Sequence, residues 1–230
     1  MKNARIPHTP SQLIPWGFVA LLLTASLSTS SNAQEDMFRS LFDGTTLNGW
    51  SGDPAHWKVI NGIIVGSTKP KGLNRNTFLI AKGNYQHFIL RVRFKLTDGA
   101  SGIQFRSRPI GRPDEFLVTG YQADIGGGDT GTFYEEKGRG TLVAAEPSII
   151  AASYRKDDWN AYEIKMLGDT GEIRLNGQLA SRFTETDPRT PRTGVIALQL
   201  QAGSGMEIAF KEIEILELPP PHEDKTAPNP

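Results

Sequence analysis

The chain has 230 residues, 38% of them hydrophobic and 22% charged, which fills one sizeable core and excludes wholesale disorder, collagen and coiled coil. Twenty-five Lys and Arg balance 25 Asp and Glu, so there is no basic excess to neutralise phosphates, and nucleic acid is not an expected partner. The absence of cysteine excludes disulfide staples, thiolate metal sites and a Cys nucleophile together.

Residues 1–13 carry Lys2 and Arg5 and no acid, and lead into the apolar run WGFVALLLTASL (16–27) and the small residues SNA (31–33). This is the pattern of a secretory signal peptide cleaved after Ala33, and the run is too short for a bilayer-spanning helix, which takes about 20 residues. The expectation is an exported, faintly acidic chain, periplasmic or extracellular, with no membrane partner once residues 1–33 are removed. Residues 36–218 show no linker, charge block or internal repeat and are expected to form one domain. PPPHEDKTAPNP (219–230) reads as a disordered Pro-rich tail.

Within that domain the dominant period is two. FILRVRFKL (88–96) sets Phe88, Leu90, Val92, Phe94 and Leu96 against Arg91, Arg93 and Lys95, as a half-buried antiparallel strand does. AYEIKML (161–167) repeats the pattern. Asn176-Gly177 stands between two short apolar runs and supplies the positive backbone angles of a two-residue hairpin turn. MEIAFKEIEIL (206–216) changes phase after Phe210, which predicts a bulge near Lys211. No comparable stretch has helical spacing, so the fold class is all-β, a two-sheet antiparallel sandwich of about a dozen strands.

Three strands carry an unusual polar face. SGIQFRSRP (101–109) sets Gln104 and Arg106 opposite Ile103 and Phe105. GYQADIG (120–126) sets Gln122 and Asp124 opposite Tyr121, Ala123 and Ile125, and VIALQLQ (195–201) sets Gln199 and Gln201 opposite Ile196, Leu198 and Leu200. Amide, carboxylate and guanidinium ends form hydrogen-bonding forks suited to sugar hydroxyls; the plainer alternative is a solvated face. In GGGDTGTFYEEKGRG (126–140) the glycines permit close approach of a ligand, and Glu135 and Glu136 offer acid–base chemistry. Adjacent strand residues face opposite ways, so Glu136 is expected to face the site with Tyr134, while Glu135 either binds substrate or forms a structural salt bridge. His56 and His87 have no partners at metal-ligand spacing. Trp50, Trp57 and Trp159 read as packing residues before sugar platforms.

The segments FRSLFDGTTLNGW (38–50), WKVINGIIVG (57–66), FILRVRFKL, SGIQFRS, GYQADIG, WNAYEIKMLGDTGEIRLNGQLA (159–180) and GVIALQLQ together resemble the 3-keto-disaccharide hydrolase domain family over nearly all of residues 38–218. The resemblance implies a concanavalin-A-like jelly-roll sandwich and cleavage of a glycosidic bond in a sugar oxidised to a ketone at carbon 3. It also implies a carbohydrate substrate. Such chemistry needs a base for the proton on carbon 2, a donor for the enolate oxygen and an acid for the leaving group. The expected catalytic residues are Asp124 and Glu136 as base or acid and Arg106 at the enolate oxygen; Gln104, Gln122, Tyr134, Glu135 and Gln199 are expected to bind substrate. A direct glycosidase route through Asp124 and Glu136 is the mechanistic alternative, and a carbohydrate-binding module or a laminin-G-like interaction domain the alternatives in function. Many relatives have a His shortly after the Leu-Gln pair where this chain reads LQLQAGSG (198–205). No cofactor or metal ligand is expected, a divalent ion is left open, and no oligomeric state follows from the sequence.

Overall fold

The computed structural model describes residues 37–221; the leader expected at 1–33 and residues 222–230 of the expected tail lie outside them. Among the described residues are fifteen strands. These are β1 (Arg39–Ser40), β2 (Trp50–Ser51), β3 (Trp57–Ile60), β4 (Ile63–Ser67), β5 (Thr77–Ala81), β6 (Phe88–Asp98), β7 (Ser101–Ile110) and β8 (Leu117–Ile125), followed by β9 (Phe133–Glu136), β10 (Gly140–Val143), β11 (Asn160–Leu167), β12 (Thr170–Leu175), β13 (Gln178–Thr184), β14 (Val195–Leu200) and β15 (Glu207–Glu217). A short helix, α1 (Pro147–Ser153), lies in the β10–β11 connection.

The strands pair antiparallel into two sheets. Sheet A runs β13-β12-β11-β6-β15-β4-β3 with β1 beside β15, and sheet B runs β10-β9-β8-β7-β14-β5-β2. The two-residue alternation of β6 buries Phe88, Leu90, Val92, Phe94 and Leu96 and leaves the Arg and Lys between them half-exposed. Those apolar side chains meet Ile103, Phe105, Tyr121, Phe133 and Leu198 of sheet B in one core. Each fully buried side chain contributes about 2 kcal/mol, and with no disulfide this interlayer carries the fold.

Local sequence chemistry sets the joints. Asn176 and Gly177 both take positive φ, 48° and 86°, and join β12 to β13 with Leu175 opposite Gln178. The phase change in β15 is a register shift between Lys211 and Glu214, with Glu212 at φ 49°, so Phe210 and Ile213 both reach the core. Trp50 and Trp57 are buried, and Trp50 Nε1 donates to the Leu41 carbonyl at 2.8 Å.

The central strands of sheet B are buried on both faces. All six residues of β14 and the first seven of β7 are buried. A second apolar cluster, Phe78, Val118, Val195 and Ala197, packs apart from the main core. Its covering segment includes Phe116, whose carbonyl accepts from the Phe78 N–H at 3.0 Å, and Arg75 bonded to Glu115 at 3.0 Å. Leu73 bridges to Gly203, which ties the lead-in of β5 to the β14–β15 connection. Burial without apolar character on the remainder of this face marks it for something other than core packing.

Candidate active site

The polar part of that face is a cleft of about 420 Å³. Its walls include Gln122 and Asp124 from β8, Tyr134 and Glu136 from β9 and Gln199 from β14. Asn76, Ser101, Gln201 and the turn residues Gly126, Gly127 and Asp129 complete it. Five of the eight residues expected in the site, Gln122, Asp124, Tyr134, Glu136 and Gln199, are therefore brought together.

Register explains the assembly. Gln122 lies opposite Tyr134 in the β8–β9 ladder, and Gly102 of β7 lies opposite Asp124. A Cβ on Gly102 would sit 2.4 Å from Gln122 Cδ, so the missing side chain is what lets the Gln122 amide lie over β7. The turn after β8 is pinned from the other sheet: the Gly131 N–H donates to the Tyr162 hydroxyl oxygen at 2.6 Å, and that hydroxyl donates to the Asp124 carbonyl. Gly131 takes φ 85°, a left-handed conformation that glycine accepts at no steric cost.

Electrostatics separate the cleft from an ordinary polar face. Burial pushes the Asp124 carboxyl up to about 7, against the lowering effect of its hydrogen bond from Gln122, and repulsion from Asp129 and Glu136 adds to the rise. Burial also raises Glu136, against the hydrogen bond from Asn76, whose Nδ2 donates to Glu136 Oε1 at 3.1 Å. Asn76 Oδ1 accepts from the Ala202 N–H at 2.8 Å. This single side chain links the lead-in of β5 to β9, past three intervening strands. The Tyr134 hydroxyl is held protonated by burial and by the charges of Glu136 and Asp124, and it makes no hydrogen bond to a described residue. Gln199 Oε1 is buried without a partner, an acceptor waiting for a donor.

Three expected residues take other places. Arg106 is not in the cleft. It has φ 45° and sits in a bulge where the β7–β8 register slips between Phe105 and Arg108, which gives the outward position to Ser107 and turns Arg106 toward sheet A. Its Nε donates to the Gln86 carbonyl at 2.7 Å and its Nη1 to the Gly168 carbonyl at 3.0 Å, so it serves the end of the sandwich and not an enolate. Glu135 faces away from the cleft and accepts from Arg139 Nε at 2.5 Å, the structural salt bridge. Gln104 keeps the expected face but is fully buried beneath the cleft, donating to Gln122 Oε1 at 2.6 Å.

Sequence reasoning missed Asn76, Asp129 and Glu185. Asn76 and Asp129 come from loop text with no periodicity. Glu185 is buried and accepts from the Tyr121 hydroxyl at 2.5 Å and from Arg139 Nη2 at 2.6 Å. Two larger hollows lie elsewhere. One of about 580 Å³ on the outer face of sheet A is lined by Arg–Glu pairs such as Arg91–Glu163, and one of about 590 Å³ beside Trp50 and Phe116 is lined by no acid. Among the described residues no three His, Cys, Asp or Glu converge as a metal cage would, and no helix is long and apolar enough to cross a membrane.

The two-sheet architecture is shared with carbohydrate-active proteins of known structure. A protein described as a glycosyl hydrolase from Parabacteroides distasonis ATCC 8503 superposes with a TM-score of 0.59 at 20% identity, covering 86% of this chain and 99% of that one. The carbohydrate binding module CBM66 from Bacillus subtilis gives 0.54 at 18% identity, covering 74% and 96%, and the Bacillus licheniformis β-glucanase 0.54 at 12% identity, covering 79% and 97%. At these identities the likeness is one of fold, the concanavalin-A-like jelly roll of glucanases and binding modules. Among curated proteins none matches the chain. The family is nevertheless defined: the model of the 3-keto-alpha-glucoside-1,2-lyase-like domain matches residues 37–216, and the chain belongs to that glycosyl-hydrolase-like family.

Proposed function

We propose that the protein is an exported enzyme that cleaves 3-keto-glycosides by elimination at carbons 1 and 2. The observation that carries the proposal is a buried cleft in which Asp124, raised to about 7, stands with a raised Glu136 and the free hydroxyl of Tyr134. Family membership supports the class of substrate, and the leader-like segment 1–33 supports export.

A ketone at carbon 3 acidifies the proton on carbon 2. Burial, with the charges of Asp129 and Glu136, raises the proton affinity of Asp124, so its carboxylate is a stronger base than an ordinary one. Asp124, in its carboxylate form, takes the carbon 2 proton, and the electron pair moves onto the carbonyl oxygen at carbon 3. Tyr134 donates to that enolate oxygen, the role its position gives it in place of Arg106. The pair then returns to form the carbon 1–carbon 2 double bond as the carbon 1–oxygen bond breaks, and the proton now on Asp124, whose affinity the charge of Glu136 supports, passes to the departing aglycone oxygen. Water adds across the double bond to give the free 3-keto-sugar. Gln199 Oε1 accepts from a ring hydroxyl; Gln122 orients Asp124.

The test is aglycone release by the full chain from a 3-keto-glucoside and from its unoxidised parent, with and without chelator, beside an Asp124→Asn control. Release from the keto-sugar alone, lost in the control, is the expected result. Release from both sugars would favour direct hydrolysis. Saturable binding without release would give the cleft to a carbohydrate-binding module.

A further inference from the structure

Beneath the cleft floor runs a chain of polar side chains that none of the roles above requires. The Ser107 hydroxyl donates to Gln104 Oε1 at 2.6 Å, Gln104 Nε2 donates to Gln122 Oε1 at 2.6 Å, and Gln122 Nε2 donates to Asp124 Oδ1 at 2.5 Å. Ser107, Gln104 and Gln122 are all at least 97% buried, with exposures of 1%, 0% and 3%, so no solvent can substitute for a missing partner. Every donor in the chain points toward Asp124, and the direction is set at the far end.

We propose that Ser107 is a positioning residue which, through the paired amides of Gln104 and Gln122, holds Asp124 as a hydrogen-bond acceptor and so as a carboxylate. The argument is one of available partners. A primary amide has a donor end and an acceptor end, so turning one amide turns the next. Around the Ser107 oxygen the other neighbours are acceptors, the Phe105 carbonyl at 3.1 Å and the Tyr121 carbonyl at 3.2 Å. With the Ser107 hydroxyl turned to one of those carbonyls, or absent, no donor meets the carbonyl end of Gln104, so Gln104 would turn its NH₂ to that side, Gln122 would aim its NH₂ at Gln104, and the carbonyl end of Gln122 would face Asp124. Only a protonated Asp124 can satisfy that arrangement. The Ser107 O–H is the donor that reverses the preference. When Asp124 gains a proton, the same carbonyls let the hydroxyl rotate away, and the chain turns over without leaving a buried group unpaired. The bulge that removed Arg106 from the face is what brings Ser107 to this position.

The other groups that face Asp124 are Glu136 and Tyr134 on β9, Asp129 in the turn after β8, and Tyr162 from sheet A, which holds the Asp124 backbone carbonyl. None of them is a hydrogen-bond partner of Ser107, so a change at Ser107 reaches Asp124 through the amides.

This inference rests on Asp124 being the working base, and its test is read without turnover. In the full chain, ¹³C-carboxyl resonances report the titration of Asp124, and ¹⁵N side-chain resonances report Gln104, two links away. In the wild type the Gln104 amide is expected to titrate with the midpoint of Asp124. In Ser107→Ala the Asp124 midpoint is expected to rise by about one pH unit, and in Ser107→Cys, whose S–H is a weak donor, by less. A Gln104 resonance that stays flat while Asp124 titrates overturns the proposal even if the variants do not fold, as does a folded Ser107→Ala with an unmoved midpoint. Should the midpoints move as expected while no keto-glycoside is cleaved, the relay stands and the proposed function falls. If cleavage depends on Asp124 but the midpoint stays fixed, the relay alone falls.

Discussion

The two sheets present outer faces built from the same alternation and put to opposite uses. On sheet A, β6 alternates buried and half-exposed residues, and its Arg side chains pair with Glu across the strands, as in Arg91–Glu163 at 3.0 Å. On sheet B, the positions that alternation would leave to solvent are occupied by Gln104, Gln122 and Gln199, each at most 3% exposed. Charge in water on one side and amides out of water on the other differ in what each group must find. A solvated Arg can hydrogen-bond to water, whereas a buried amide is committed to a named partner or to a ligand. The unpaired Gln199 Oε1 and the free Tyr134 hydroxyl are therefore informative in a way that an exposed Arg side chain on sheet A is not.

The contrast can be broken by substitution. Asp124→Asn should lower kcat/KM on a 3-keto-glycoside by about 10³-fold or more, measured by aglycone release. Arg139→Ala removes the cation that, with Tyr121, holds the buried Glu185 down to about 2 against the raising effect of its burial. It should cost about 2 kcal/mol at pH 7 in denaturant melts, less than for a fully buried pair because Arg139 is partly exposed. Because the folded Glu185 binds protons less readily than the ordinary carboxyl at 4.5, that contribution is complete above pH 4.5 and should vanish as pH falls toward 2.

Smaller effects sharpen the comparison. Gly102→Ala, which places a Cβ against the buried Gln122 side chain, should reduce kcat/KM by about tenfold through misplacement of Asp124 and lower stability by about 1 kcal/mol. Asp124→Asn should stabilise the fold at pH 8 by about 1 kcal/mol. Its native carboxyl is raised from 3.8 to about 7, so ionisation costs stability that accumulates as pH climbs through that window and is absent below it. Rate–pH profiles should rise to a plateau as pH climbs through about 7, where Asp124 gains the carboxylate form that takes the carbon 2 proton. At the small end, Arg182→Ala, which breaks the exposed pair with Glu172 at 2.7 Å on sheet A, should change stability by no more than about 0.5 kcal/mol.

Much of this is legible in the sequence because a strand's two faces are written in its period. FILRVRFKL, the Asn176-Gly177 turn and the phase change after Phe210 each translate into geometry without tertiary information. The same rule places Gln122, Asp124, Tyr134, Glu136 and Gln199 on one face. It fails at Arg106, where the slip in the β7–β8 register shifts the count by one and exchanges Arg106 for Ser107. A bulge in β15 shows in the text as a phase change among apolar residues, but FRSRP offers none. Asn76 is invisible for a different reason. It belongs to a loop that meets β9 only through tertiary closure, and no local pattern encodes a partner 60 residues away.

Tyr162 gives the site an unusual point of reference. It is a core residue of sheet A, packed on Phe94 at a centroid distance of 4.7 Å, yet its hydroxyl fixes the backbone at Asp124 on sheet B. The carboxylate proposed as the base is thus surveyed from the opposite layer, and its position records how the two layers sit on one another. Gentle heating, pressure or a core cavity that lets the layers slide by a fraction of an ångström should silence the proposed activity while the secondary structure is intact. On the proposed function, activity serves as a strain gauge of the sandwich.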